Sequence, residues 1–234
     1  MKSLDVVTTA LRRPELLDYT YTSFFNRINN LPPLRIIINI DPLGSGDTKK
    51  CVSIAERFAS EIVVRTPKTP NFSSAINWAW ANLQSEIYLH LEDDWFLNRT
   101  IDFEDWSREF VSSDYDQSVL FMKRPRTSNS LNFSFRPNLT RTNSVHSIMP
   151  IPAHQNPEKF AANHQVSLRS IDYSKAIART IDDMGRKWAK GNGLRRDCQP
   201  EGAWFQSRKV SFLDQFDARF SLLVWKLKVG MLGR

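Results

Sequence analysis

The sequence predicts an α/β fold, a mostly parallel sheet flanked by helices with a smaller second lobe. Three observations carry that expectation. Strand-like and helix-like segments alternate through roughly the first 90 residues, as in successive βαβ units. The strand-like segments are short, nearly unbroken apolar runs, which suit strands covered on both faces. The 234 residues are 41% hydrophobic and 12% aromatic, too apolar for a disordered chain and enough to core one domain or two fused lobes.

Residues 4–9 form the first strand, bounded by Arg12-Arg13-Pro14. Pro14 at a first turn, with Glu15 near the positive end of the dipole, starts a helix. Leu16, Leu17, Tyr21, Phe24, Phe25 and Ile28 recur behind it at helical spacing. Residues 34–40 are the second strand, ending in Asp41-Pro42. The turn cluster Gly44-Ser45-Gly46-Asp47 opens the next helix, residues 48–60. Residues 61–64 make the third strand. Residues 73–84 make a helix with Ile76, Trp80 and Leu83 on one face, and Trp78 and Trp80 read as packing residues. Residues 87–91 make the fourth strand, which stops at Glu92-Asp93-Asp94.

Beyond that point the pattern loosens. Residues 119–122 read as a short strand, and 173–184 as a helix. Residues 127–147, rich in Ser, Asn and Thr, are open between hairpins and mobile loops. Residues 189–196 read as a basic loop, and 212–232 as an apolar, aromatic and basic stretch. There is no internal repeat and no low-complexity segment. The expected division is residues 1–100, 101–213 and a tail, 214–234.

Charge is distributed unevenly. The net charge is +7, and residues 186–234 alone carry 11 basic and 4 acidic residues, so residues 1–185 balance at 21 of each. Nucleic-acid enzymes spread positive charge around their sites, so no nucleic-acid partner is expected. The basic tail fits a polyanion or an anionic membrane surface, with a merely solvated face as the alternative. Two cysteines, Cys51 and Cys198, make neither a disulfide framework nor a zinc cluster. No apolar run approaches the roughly 20 residues that span a bilayer, and no signal-peptide core follows Met1. A cytoplasmic location is expected, with four Asn-x-Ser/Thr sequons arising by chance.

In an open parallel sheet, ligands sit beyond the carboxyl ends of the strands. Thr8-Thr9, Asp41 and Glu92-Asp93-Asp94 all fall at such ends and are expected to meet on one edge. Three consecutive acids repel one another, and a divalent cation, Mn²⁺ or Mg²⁺, is the usual compensation. The first glycine is Gly44, which excludes a Gly-rich phosphate loop at the first βα turn. A diphosphate would then be held by metal and basic side chains.

Four segments together resemble the GT-A-fold glycosyltransferases, in particular the inverting family-2-like enzymes that use nucleotide-diphosphate sugars. They are Val6-Val7-Thr8-Thr9-Ala10, Arg13-Pro14-Glu15-Leu16-Leu17, Ile38-Asn39-Ile40-Asp41 and Leu91-Glu92-Asp93-Asp94-Trp95. The resemblance covers about residues 4–97. It implies a GT-A (Rossmann-like) fold with a nucleotide-sugar-binding first half and an acceptor-side second half. It also implies a UDP-sugar donor, and a glycan or lipid-linked acceptor.

Residue by residue, the resemblance places Thr8, Thr9, Ala10 and Arg13 in the loop that holds the base and phosphates. Asp41 becomes the reader of the uracil edge. Glu92 and Asp93 become the acids near the ribose and sugar, Asp93 taking a catalytic part, and Asp94 the metal ligand. Asn71 and Asn77 fall in a polar segment lining the sugar site. The sequence departs from the family at Thr9-Ala10-Leu11-Arg12 and at Ala75-Ile76-Asn77. An inverting transferase needs a base for the acceptor proton. Glu201, after Pro200, matches the family's acid at a helix start, with Asp197 second. Trp95 and Trp204 are candidates for stacking on a sugar ring. His154 and His164 are more simply structural than metal ligands.

Two other classes remain open at this point: a metal-dependent nuclease or nucleotidyltransferase using the same acids, and a non-catalytic carbohydrate-binding protein. In the tail, Phe216, Phe220, Leu223, Trp225, Leu227 and Met231 interleave with Arg219, Lys226, Lys228 and Arg234. An interfacial helix and a helix docked on the core fit that mixture equally.

Overall fold

Four apolar runs become four parallel strands in the computed structural model, which describes residues 2–120, 133–153, 155–163, 168–173, 180–191 and 212–232. They are β1 (Leu4–Leu11), β3 (Leu34–Asp41), β4 (Glu61–Arg65) and β5 (Ile87–Glu92), with the two-residue β2 (Ile28–Asn29) between the first two. β1 lies between β3 and β5, parallel to both, and β4 pairs parallel with β3. The connecting helices are α1 (Pro14–Phe25), α2 (Thr48–Glu56) and α3 (Phe72–Ala81).

Their starts follow the local chemistry. Pro14 opens α1 with Glu15 in its first turn. The Asp47 carboxylate caps α2 by accepting from Lys49 N–H at 2.9 Å. Asn71 caps α3 by accepting from Ser74 N–H at 2.8 Å. α2 ends at Glu56 and α3 at Ala81, short of the expected 60 and 84, because the chain turns there toward the next strand.

The chain beyond β5 adds three strands to the same sheet, and others that pair outside it. It contains β6 (Trp95–Leu97), β7 (Ile101–Asp102), α4 (Phe103–Val111), β8 (Gln117–Val119), β9 (Asn138–Arg141), α5 (Thr142–His146), α6 (Pro157–Asn163) and β10 (Ser170–Asp172). The seven-stranded order is β10-β8-β9-β5-β1-β3-β4. β9 runs antiparallel to both neighbours, β5 and β8. The loop or hairpin expected at 127–147 is therefore partly a central strand, while 121–132 lie outside the described residues. The short strand expected at 119–122 is Gln117–Val119.

Another expectation, the helix at 173–184, is corrected at its end, while 174–179 lie outside the described residues. β11 (Ile181–Asp183) is a strand, antiparallel to β6, and helix α7 (Met184–Gly191) begins only after it. Asp183 accepts from Arg186 N–H at 3.1 Å, which starts the helix at Met184. α7 also occupies the beginning of the stretch expected as a basic loop. The last element among the described residues is α8 (Phe212–Leu232).

The sheet is covered on both faces, as its apolar runs require. On one face Val6, Ile36, Ile38, Leu89 and Leu91 pack with Leu17, Tyr21, Phe24 and Ile54 of the helices. On the other, Val7, Ile37 and Tyr88 pack with Ile76 and Trp80 of α3 and with Phe133 and Phe135. Trp80 is fully buried, as expected of a packing residue. A third cluster, Leu16, Tyr19, Phe96, Met184 and Trp225, seats α8. The direction of sheet growth reverses between β1 and β5, which opens a crevice at their carboxyl ends.

Candidate functional site

The crevice is a cavity of about 360 Å³. Thr9, Ala10, Arg13, Asp41, Glu92, Asp93, Asp94 and Trp95 line it, so the three strand-end clusters do meet. Phe72, Phe135, Arg136, Asn156, Glu158, Asp183, Gly185 and Arg186 complete most of the wall.

Arg13 organises the acids. It is buried, and its Nε donates to Asp93 Oδ2 at 3.1 Å while its Nη2 bonds to Asp93 Oδ1. The same Nη2 reaches Asp94 Oδ2 at 3.1 Å. The main-chain N–H of Leu11 adds a further bond to Asp93 Oδ2 at 3.0 Å. Burial alone would lower the Arg13 pKa, but Asp93 and Asp94 raise it, so the guanidinium remains charged. Burial pushes the Asp93 carboxyl up to about 6, against the pull of Arg13 and with a further push from Asp94. A protein cation thus supplies much of the compensation that the triplet requires.

Two glycines let the Arg13 loop sit where it does. A Cβ on Gly46 would fall 2.3 Å from Pro14 Cδ, and one on Gly44 would fall 2.7 Å from the Arg12 carbonyl oxygen. Gly44 also has φ +99°, a backbone region open to glycine. The turn read from sequence as a helix start is therefore also the bed of the Arg13 loop.

Asp94 meets α7. Its carbonyl accepts from Met184 N–H at 2.7 Å, and its carboxylate lies against the Cα of Gly185. Trp95 Nε1 donates to Glu92 Oε2 at 3.1 Å, so the indole is tied to the acids. Asp41 accepts from Asn39 Nδ2 at 2.8 Å. Burial raises its pKa, opposed by that amide, by the main-chain N–H of Asn71 and by Arg65.

Three expected site residues are engaged elsewhere. Thr8 is fully buried and its Oγ1 accepts from the Tyr21 hydroxyl at 2.8 Å. The Asn71 side chain caps α3, and only its main chain reaches toward the cavity through Asp41. Asn77 is held by Ile151 in both directions, donating at 2.7 Å and accepting at 2.8 Å. Glu201, Asp197, Trp204, His154 and His164 lie outside the described residues. Sequence reasoning missed Asp183, although an acid directly before Met184-Gly185 was a readable helix-start signal.

The donor set suits a cation shared with a substrate. Among the described residues no group of three His, Cys, Asp or Glu side chains is arranged to hold a metal by itself. Mg²⁺ and Mn²⁺ commonly take one or two protein carboxylates and complete their shell with phosphate oxygens and water. Asp94, part-exposed in the cavity with Glu92 near it in sequence, meets that lesser requirement.

No protein-family model matches the chain, and no curated protein matches it. Solved structures do. S. aureus TarS 1–349 in complex with UDP-GlcNAc matches with TM-score 0.56 at 14% identity, over 96% of this chain and 66% of that one. The mannosyltransferase PcManGT from Pyrobaculum calidifontis, in complex with GDP-Man and Mn²⁺, matches with TM-score 0.59 at 11% identity, over 81% and 60%. Glucosyl-3-phosphoglycerate synthase from Mycobacterium tuberculosis, with Mn²⁺, UDP-Glc and phosphoglyceric acid, matches with TM-score 0.52 at 12% identity, over 74% and 70%. The chain spans less than two thirds of TarS 1–349 and of PcManGT. These likenesses show a fold: the mixed α/β architecture is that of GT-A glycosyltransferases.

Proposed function

We propose that the chain is a glycosyltransferase that moves a sugar from a UDP-sugar, with inversion, to a glycan or lipid-linked acceptor. The observation that carries the reading is the meeting of Asp41 and the Arg13-anchored Glu92-Asp93-Asp94 in one cavity at the strand switch point. The structural neighbours held with UDP-GlcNAc, UDP-Glc and GDP-Man support it.

Each residue then has a task. Asp41 accepts from the ring N–H of uracil, a donor that cytosine lacks. Thr9 and Ala10 edge the nucleotide at the end of β1. Arg136 and Arg186, the latter paired with Asp183 at 2.9 Å, line the cavity and would meet the diphosphate, which no Gly-rich loop holds. Asp93 has both oxygens bonded, so it acts by fixing Arg13 and the strand end rather than by touching substrate. Asp94, with Glu92, would hold Mn²⁺ or Mg²⁺, which supplies neutralisation of the departing diphosphate.

The acceptor proton needs a base, and Glu201 takes that role. A second reading assigns it to Asp183, because this acid lines the cavity at the start of a helix. Incubation with UDP-sugars and Mn²⁺ tests the proposal. Release of UDP supports it. Release of UMP would indicate attack on the diphosphate instead, and no turnover and no nucleotide binding would leave only a binding protein of another class.

A further inference from the structure

We propose that the outward face of α8 docks on an anionic membrane surface. The helix is divided lengthwise. Ala218, Leu222, Trp225 and Val229 pack inward, with Trp225 stacked on Phe96 at 6.5 Å between centroids. Phe216, Phe220, Leu223, Leu227 and Met231 follow at spacings of four, three, four and four, which is one stripe of a helix. They are 51–71% exposed, and among the described residues only Val64 and Val111 are other large hydrophobics left exposed. Of the two arrangements open from sequence, the docked helix is present, and the outward stripe is the surface that the interfacial arrangement would use.

Charge selects the occupant. At 100° per residue, exposed Arg219 and Lys226 fall on one shoulder of the stripe, Arg219 with its Nε donating to the Gly191 carbonyl at 3.1 Å; Lys228, on the other shoulder, is turned inward over the Phe96 ring at 5.6 Å. Of the two acids in α8, Asp217 is paired with Lys187 at 2.6 Å. An apolar stripe edged on one side by Arg219 and Lys226 matches acyl chains below anionic headgroups. A second copy of the chain fits less well. The stripe is about 22 Å long and a helix about 10 Å wide, on the order of 200 Å² of contact, against the roughly 800 Å² per partner of a stable interface. No helix among the described residues is long and apolar enough to cross a membrane, so the contact is interfacial.

The position of α8 gives the contact a use. α7 packs on it, with Ala218 and Leu222 within 3.6 Å of a Cβ built on Gly191, and Ala189 of α7 lines the cavity. The docking face thus lies one helix layer, about 10 Å, behind the cavity wall. An acceptor anchored in the bilayer would be kept within reach.

Sedimentation with phosphatidylglycerol–phosphatidylcholine vesicles at low salt tests the proposal and needs no turnover, so its failure leaves the donor chemistry untouched. The intact chain is expected to co-sediment, and less so as salt rises. Phe220→Ser with Leu227→Ser removes outward side chains only and is expected to cut binding at least about tenfold with an unchanged circular dichroism spectrum. Val111→Ser, at an exposed position elsewhere, is expected to bind as the parent does. Failure of the intact chain to sediment, or equal binding by the double variant, would overturn the proposal. So would a dimer in light scattering that the double variant abolishes, since a second copy would then cover the stripe.

Discussion

A methyl group on Gly185 would lie 2.0 Å from Oδ2 of Asp94. The first turn of α7 and the last acid of the triplet are thus in contact across 91 residues of chain, with no room for a side chain. Asp94 cannot swing away freely, because Arg13 bonds the same oxygen.

Gly185→Ala is therefore expected to displace the Asp94 carboxylate while the core stays packed. A misplacement of about 1 Å at a reacting centre costs on the order of 100-fold in rate. The variant should lose most Mn²⁺-dependent UDP affinity and turnover with only a small change in melting temperature. Calorimetric titration beside thermal unfolding checks this; parent-like titration with Mn²⁺ would show that Asp94 is not needed where it stands.

Asp41→Ala is expected to weaken UDP by about 10- to 100-fold, the worth of a charged hydrogen bond. Binding of bare pyrophosphate should change little, because Asp41 sits at the end of β3, away from Asp94. The parent should also prefer UDP to CDP. Equal affinities of the parent for UDP, CDP and GDP would remove Asp41 as the selecting group.

Glu201→Gln is expected to retain donor binding and to slow transfer by about 10²–10⁴-fold, the usual weight of a general base. Asp183→Asn keeps a helix-capping side chain and is the matched comparison. If transfer survives in the first variant and falls in the second, the base is Asp183.

His90 is fully buried beside Phe135, and neither ring nitrogen has a hydrogen-bond partner among the described residues. Burial lowers its pKa to about 3. The unfolded chain takes up the proton near pH 6.5 and the folded chain resists it. The contribution of neutral His90 is therefore full above pH 6.5 and is lost as pH falls toward 3, by about 1 kcal/mol per pH unit. His90→Leu should gain on the parent steadily between pH 6.5 and 4 in urea denaturation. A gap that does not change with pH would contradict the assignment.

The first four parallel strands were legible because each apolar run is closed by local chemistry: Asp41-Pro42 after β3, Asp47 before α2, Glu92-Asp93 after β5. β9 was not legible, because its burial is polar. Gln117 Nε2 donates to Thr140 Oγ1 at 3.1 Å, Ser170 Oγ donates to Gln117 Oε1 at 2.8 Å, and Asn138 Oδ1 accepts from Thr140 at 2.6 Å. Such a ladder is stable only when every partner arrives, and the partners come from three strands. The meeting of strand ends followed from topology alone. Which acid Arg13 would bind did not, since that pair is separated by 80 residues. Thr8 and Asn77 were placed among the ligand contacts by the family resemblance; their partners, Tyr21 and Ile151, are set by packing.

The most direct measurement is a crystal structure of the chain grown with UDP and Mn²⁺. The expected result is UDP in the cavity, with the uracil edge on Asp41, the diphosphate between Asp94 and Arg186, and Mn²⁺ on Asp94. UDP bound elsewhere, or a cavity empty of nucleotide at saturating UDP, would contradict the assignment of this site to a nucleotide-sugar donor.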